Sequence, residues 1–384
     1  MRIADLTEVV VRVAHGWARV RRGESARSAA TPATFRVAAS VLVVVSTLLA
    51  GCGRATRDPP TQTAHHATRS PIKTTHVSTD PVLARLGLPP VPPGSPLPGY
   101  LMIADRDNNR IIIVNPAKRI VWRFPAGGAS GFAGPDDAFV SPDGRYVSVN
   151  QEFAETIALV SLSRRPRLVW SYGHRDAQGS APGYLAHPDD AYLLPNGDIQ
   201  VADIINCRVL WIDRAKRIIR SIGSAGDCTH DPPRALSEPN GDTPVPGGGV
   251  LITEIGGWVD RFNAAGRLMW SIRTPTDYPS DAQLLPDGNV VVAGYNTPGR
   301  IDILTPRGRI VWTYERTAGP NALQQPSLAV TLPNGMIAAT DDWNHRVVLI
   351  DPKSKRIVWK YGHDGVPGSG PGYLRKPDGL DLVP

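Results

Sequence analysis

Residues 172–218 read YGHRDAQGSAPGYLAHPDDAYLLPNGDIQVADIINCRVLWIDRAKRI, and residues 361–384 read YGHDGVPGSGPGYLRKPDGLDLVP. Tyr-Gly-His, Gly-Ser, Pro-Gly-Tyr-Leu and Pro-Asp fall in register between the two without a gap. Self-similarity at a period of about forty to fifty residues marks a solenoid, a propeller or an array. Related units fill the chain from Gly99 to Pro384, and each has the same parts. A Pro-Asp or Pro-Asn opening leads into a short apolar run, and a Pro-Asn-Gly or Pro-Asp-Gly turn follows. A second apolar run ends in an acid or amide, and two more strands finish on Arg-Ile-Val-Trp or a relative. The turn residues supply the backbone angles that tight reversals need. The runs Ile111 to Val114, Val209 to Ile212 and Val347 to Ile350 are β-branched and too short for helices. Four strands per unit make one propeller blade.

Openings stand at Pro135, Pro188, Pro239, Pro279, Pro326 and Pro377; endings stand at Trp122, Trp170, Arg220, Trp270, Trp312 and Trp359. The first ending has no opening before it, and the last opening has no ending after it. Leu380 to Val383 is therefore expected to be the innermost strand of the blade whose other three strands begin at Tyr100. Pairing the two ends leaves no open sheet edge. The expectation is an all-β, six-bladed propeller of four-stranded blades over residues 99–384, closed by the C-terminal strand.

Residues 1–51 read as an export signal. An Arg-rich segment precedes an uncharged apolar run from Val37 to Gly51, too short for a comfortable membrane span and normal for a secretory signal. Leu49-Ala50-Gly51-Cys52 resembles a bacterial lipobox, which implies that Cys52 becomes the lipidated first residue of a protein held at the outer side of the cell membrane. The alternative is a plain membrane anchor. Residues 52–98, rich in Pro, Thr and His, read as an extended disordered tether; His65, His66 and His76 within it are weak grounds for metal. The formal net charge is +7, and residues 1–51 hold most of that surplus, so the remainder is too weakly basic to suggest nucleic acid. Cys207 and Cys228, an even pair in an exported domain, read as a structural disulfide.

Three units carry Asp105 with Asn108 and Arg110, Asp203 with Asn206 and Arg208, and Asp341 with Asn344 and Arg346. This pattern resembles the Asp-x-x-Asn-x-Arg signature of NHL-repeat propellers. The connectors ending in Gly-Tyr-Leu at Leu185 and Leu374 resemble the stretch before each NHL repeat, and the Arg-Ile-Val-Trp endings resemble part of the quinoprotein-like (PQQ-like) repeat. The resemblance covers Gly99 to the end and implies fold rather than chemistry, because such propellers include enzymes, sensors and binding modules. The units with Asn150, Glu254 and Gly294 lack the triplet, and the adjacent cysteine pair of quinoprotein dehydrogenases is absent, so no quinone cofactor is expected.

Two sets of polar residues should meet on one face of the ring. Asp136, Asp137, Asp189, Asp190, Asn240, Asp281 and Asp378 belong to the openings; Asp137, Asp190 and Asp281 are candidate ligands for a calcium ion in the central channel. Turn capping by the same carboxylates is the other reading. Asp105, Asn150, Asp203, Glu254 and Asp341 form a second ring, in which Asn150 and Glu254, lacking triplet partners, are free for binding. Trp258 and Trp343 lie in or beside loops of that face and read as a binding surface. The Trp at five endings reads as packing between sheets. Arg119, Arg167, Arg217, Arg267, Arg309 and Arg356, three residues earlier, are expected to pair with carboxylates across blades. His187 is a weak catalytic candidate, as the nucleophile of an arylsulfotransferase-like transfer or as a surface histidine bonded to a neighbouring connector. No catalytic or nucleotide-binding motif is present. The favoured reading is an exported, lipid-anchored, NHL-type scaffold that binds a protein or cell-envelope glycan. Its rival is an enzyme: a metal-dependent lactone or ester hydrolase at the channel mouth, or a transferase acting through His187.

Overall fold

A computed structural model describes residues 80–125 and 132–383. The expected export signal, Cys52 and the expected tether up to residue 79 lie outside the described residues.

Strands β1 (Tyr100–Asp105), β2 (Arg110–Val114) and β3 (Ile120–Phe124) come first. Five complete antiparallel blades follow: β4 (Ala138–Val140) to β7 (Leu168–Tyr172), β8 (Pro188–Leu193) to β11 (Ile218–Gly223), β12 (Pro244–Val245) to β15 (Leu268–Arg273), β16 (Pro279–Leu284) to β19 (Ile310–Glu315), and β20 (Ala329–Thr331) to β23 (Arg356–Gly362). The last strand, β24 (Pro377–Val383), pairs with β1, with Tyr100 opposite Val383 and Ile103 opposite Leu380. The sheet order β24-β1-β2-β3 completes six four-stranded sheets, a closed six-bladed propeller. We number the blade closed by β24 as blade 1.

The core is divided into layers between blades. One apolar cluster joins blades 1 and 2, another blades 6 and 1, and the other four junctions have one each. Alternate residues of one strand serve two layers: Tyr100, Met102 and Ala104 face blade 2, and Leu101 and Ile103 face blade 6. Both faces of the strand are buried, which is why these runs are continuously apolar rather than alternating.

Each blade shifts register at the same place between its third and fourth strands, beside the repeated Trp. Such a bulge increases local twist. At four junctions the indole N–H then donates to a carbonyl in the turn of the next blade: Trp122 to Ser163 at 2.8 Å, Trp170 to Arg214 at 3.1 Å, Trp312 to Pro352 at 2.9 Å and Trp359 to Pro116 at 3.1 Å. Arg220, the exception in sequence, makes the equivalent bond to Ala264 at 3.0 Å. The arginines three residues earlier behave differently from expectation. Their side chains are exposed, and Arg217 pairs with Asp213 inside its own turn at 2.7 Å. What repeats is their backbone N–H, which the side-chain oxygens of Asn115, Ser161, Asp213, Asn263 and Thr305 accept. Closing a tight turn needs that one bond, and the long side chain is left to solvent.

Residues 80–98 depart from the extended tether. Asp80 caps a short helix, α1 (Pro81–Leu86), accepting from the N–H groups of Val82 and Leu83, and Gly87 ends it at φ +71°. Proline at the first turn and glycine after the last are the usual terminal preferences. Val82, Leu83 and Leu86 enter the layer between blades 1 and 2, and the Tyr100 hydroxyl donates to Pro89 O at 2.7 Å. The predicted disulfide between Cys207 and Cys228 is present and ties blade 3 to the connector that leaves it.

Because Leu83 is 2 % exposed, Leu83→Ala will cost roughly 2–4 kcal/mol, the usual price of a cavity in a packed core. Urea melts of the chain from residue 53 onward check this; an unchanged midpoint would return the segment to the tether.

Candidate functional site

The NHL-like triplets are clamps. Asp105 accepts from Asn108 at 3.0 Å and from Arg110 Nε at 2.6 Å, and it also accepts the backbone N–H of Arg375 at 2.8 Å. Asp203 and Asp341 repeat the set with Arg208, Ala186 and Arg346, Gln324. The asparagines and arginines bond carbonyls of the incoming connector, such as Gly368 and Tyr373 in blade 1. These groups hold loops in place.

Asn150 lies one residue away from the ring assigned to it. Gln151, paired with Thr156 as Asp105 is with Arg110, occupies the triplet position and accepts the N–H of Ala133 at 3.0 Å. A one-residue step along a strand reverses the face. Asn150 therefore points toward the channel, fully buried, accepting from Asp137 N at 2.8 Å and donating to Asp189 Oδ1 at 2.9 Å and Pro188 O at 3.1 Å. It is a brace between blades 2 and 3 rather than a free binding group.

The openings converge on the channel as expected, with more acid than the sequence indicated. Asp136, Asp137, Asp189, Asp190, Asp242, Asp281, Asp342 and Asp378 are all buried. Asp136, Asp137 and Asp189 can each place an oxygen within 4.8 Å of the others, a candidate cation site. Asp190 and Asp281, grouped with Asp137 in the sequence reading, belong to a neighbouring set. There Asp190 accepts from Asp242 N at 3.3 Å, and Asp281 accepts from Thr243 Oγ1 at 2.9 Å and Gln283 at 3.0 Å. Neither carboxylate oxygen of Asp242 has a hydrogen-bond partner.

Among the described residues, Arg106 is the one basic side chain ion-paired with this set, at 2.9 Å to Asp136 and in contact with Asp378. It stands first in the 3₁₀ turn after Asp105, where Glu152, Ile204 and Asp342 stand in blades 2, 3 and 6. Burial, followed by neighbouring carboxylates, pushes Asp136, Asp137 and Asp190 well above the ordinary range. Burial and the adjacent Asp137 do the same to Asp189, and burial and Asp378 to Asp342. Tyr278 and Tyr295, with ring centroids 5.2 Å apart, border the same mouth, and Tyr278 donates to Asn240 at 2.8 Å.

On the outer face, the second residue of three of these turns is exposed and apolar: Phe153, Ile205 and Trp343. Lys376 Nζ lies 4.2 Å from the Trp343 ring centroid. Trp258 is less available, because it stacks on His230 with centroids 4.0 Å apart and carries the Arg273 guanidinium at 5.0 Å. Glu254 is fully buried, within 3.2 Å of His230 Nδ1.

His187 is held by Glu152 at 3.3 Å and Glu155 at 3.8 Å, and its backbone N–H donates to Glu155 at 2.7 Å. The hydrogen bond to Glu152 raises its pKa above the ordinary histidine value. The geometry gives His187 a loop-fixing role. Arg106, Glu152, Asp242 and Asp342 were missed in the sequence because their positions follow from the 3₁₀ turns and the inner-strand bulges. The readable signal was the residue directly after each triplet aspartate.

No protein-family model and no curated protein matches the sequence. Among solved structures, a protein of unknown function from Bacteroides caccae is similar with a TM-score of 0.52 and 16% identity, over 73% of this chain and 97% of that one. A streptogramin B lyase gives 0.48 and 18%, over 74% and 90%. A virginiamycin B lyase from Staphylococcus aureus gives 0.42 and 17%, over 61% and 71%. The Bacteroides likeness establishes a shared fold and leaves chemistry open.

Burial raises Asp281 to about 6, whereas an unfolded aspartate titrates near 4. Between those values the folded protein keeps a proton that the unfolded chain has lost, so this group's effect is to lower stability as pH climbs through about 6. In chelator, Asp281→Asn will therefore lose roughly 1–2 kcal/mol less stability than the parent between acid and neutral pH. Melts at a series of pH values check this, and parallel curves for the two proteins would refute it.

Proposed function

We propose that this protein is an exported binding propeller, held to the outer side of the cell membrane by a lipid on Cys52, whose top face captures a protein partner through a basic side chain. The observation that carries this reading is the imbalance at the channel mouth. Eight buried aspartates converge there with Arg106 as their ion-paired counter-charge among the described residues. A mouth of one sign with low-dielectric walls focuses its field outward and attracts the opposite charge. Tyr278 and Tyr295 add aromatic faces that favour a cation. Phe153, Ile205 and Trp343 surround the mouth with exposed apolar surface of the kind that anchors interfaces.

A lysine or arginine entering the mouth would repay the cost of burying these carboxylates, and the apolar rim would cover the rest of the segment. A neutral glycan would use the aromatic rim and leave the charge imbalance in place, so the protein partner is favoured. One observation supports the hydrolase reading as second choice: the close approach of Asp136, Asp137 and Asp189, an all-oxygen donor set suited to calcium.

The chain from residue 53 onward, immobilised and exposed to cell-envelope extract, will retain a partner that protease destroys and high salt releases. Replacing Phe153 and Trp343 together by serine will weaken capture roughly tenfold or more with the melting temperature kept, as expected of interface anchors. Capture that survives protease identifies a glycan, and capture indifferent to both substitutions sinks the proposal. Stoichiometric calcium lost on Asp137→Asn, with an esterase or lactonase activity lost alongside it, would establish the second reading instead.

A further inference from the structure

Blade 4 breaks the charge rule that blades 1, 3, 5 and 6 keep, whereas blade 2, with Gln151 facing Thr156, carries neither charge. In blades 1, 3 and 6 a carboxylate at the end of the second strand faces an arginine at the start of the third: Asp105 with Arg110, Asp203 with Arg208, Asp341 with Arg346. In blade 5 the second strand ends in Gly294, the arginine is Arg300, and the carboxylate has moved two residues along the third strand to Asp302, which Arg300 meets at 2.7 Å. Blade 4 keeps both carboxylates. Glu254 stands where Asp105, Asp203 and Asp341 stand, and Asp260 stands where Asp302 stands, while Trp258 occupies the arginine position. Two buried acids face each other and the arginine is gone.

An imidazole from outside the blade occupies the gap. His230 belongs to the connector between blades 3 and 4, two residues after Cys228, whose disulfide to Cys207 anchors it. Its ring lies parallel to Trp258, within 5° and with centroids 4.0 Å apart. Nδ1 is 3.2 Å from Glu254 and 3.9 Å from Asp260 Oδ2, and Nε2 is 3.2 Å from the Ser271 hydroxyl. Asp260 is fully buried, and neither of its oxygens receives a hydrogen bond. A buried carboxyl group without donors is costly to ionise, and a nearby cation is one way to offset that cost. One ring nitrogen and one oxygen from each acid lie within 4.8 Å of one another.

We propose that His230, Glu254 and Asp260 form a divalent transition-metal site that takes zinc. One imidazole nitrogen with two carboxylate oxygens is a borderline donor set of the type zinc accepts, and a hard all-oxygen site for calcium it is not. The metal replaces the proton shared between Nδ1 and Glu254 and supplies Asp260 with the positive partner that arginine provides in blade 5. Three protein ligands leave a fourth position for water or for an atom of a ligand. Trp258 fixes the plane of the ring, and the disulfide fixes the connector that brings it. This site is separate from the channel mouth and stands whether or not the partner-capture reading does.

The test uses the metal-free chain from residue 53 onward, titrated with zinc while heat of binding and melting temperature are followed. One zinc will bind and raise the melting temperature. His230→Ala and Asp260→Asn will each weaken binding by more than about a hundredfold, beyond what is usual for loss of an outer-shell partner. Asp260→Asn keeps the size and shape of the side chain, so it reports even if His230→Ala folds poorly. Cobalt(II) in place of zinc will give visible absorption bands that His230→Ala loses. Zinc binding that persists in both variants and disappears in Asp137→Asn assigns the metal to the channel and overturns the proposal. Absence of zinc binding in the parent overturns it as well.

Discussion

The pairing of β24 with β1 is the constraint on which the rest of the structure depends. A propeller has no central hydrophobic core, and its apolar layers lie between blades, so every blade needs two neighbours. Without β24, blade 1 would lack its inner strand, and Leu101, Ile103 and Leu380 would lose the layer they share with Leu349 and Tyr361 of blade 6. Closure supplies that layer and removes two sheet edges at once. The Trp bonds reinforce the same ring from outside, each reaching a carbonyl of the next blade; Trp359 carries the ring across the closure to Pro116.

Closure also creates the electrostatic problem at the centre. Five of the six inner strands carry Asp just before or just after their first residue, at Asp136 and Asp137, Asp189 and Asp190, Asp242, Asp281 and Asp378, so a ring that satisfies the apolar layers brings acidic groups together. The protein answers in part with Asn150 as a brace and with Arg106 inserted from a turn. Asp242 keeps two unpartnered oxygens. The proposed capture of a protein partner rests on that imbalance.

Blade 4 shows how the repeat can diverge without losing its fold. Its backbone pairing matches that of the other blades, because β-ladder hydrogen bonds do not depend on which side chains face each other. The side-chain partnership has been exchanged, arginine for a tryptophan and a histidine supplied by a disulfide-anchored connector. Structural positions that tolerate exchange of partners are the ones where a repeat protein acquires new chemistry.

By itself the sequence determined the number of blades, the closure by Leu380 to Val383, the disulfide between Cys207 and Cys228, and the meeting of openings and turns on one face. Each follows from a repeating local pattern, which short-range backbone preferences and strand periodicity encode. It also contained the signals for α1, in Asp80, Pro81 and Gly87, within a segment whose composition suggested a tether. Only the tertiary structure decided what the site is. Arg106 and Asp378 are 272 residues apart in the chain and meet because the ring closes. Asn150 and Gln151 exchange roles because one step along a strand reverses its face, and His230 reaches Glu254 because a disulfide holds its connector. Burial and the field of neighbouring blades are properties of the assembled ring, and no local pattern in the chain carries them.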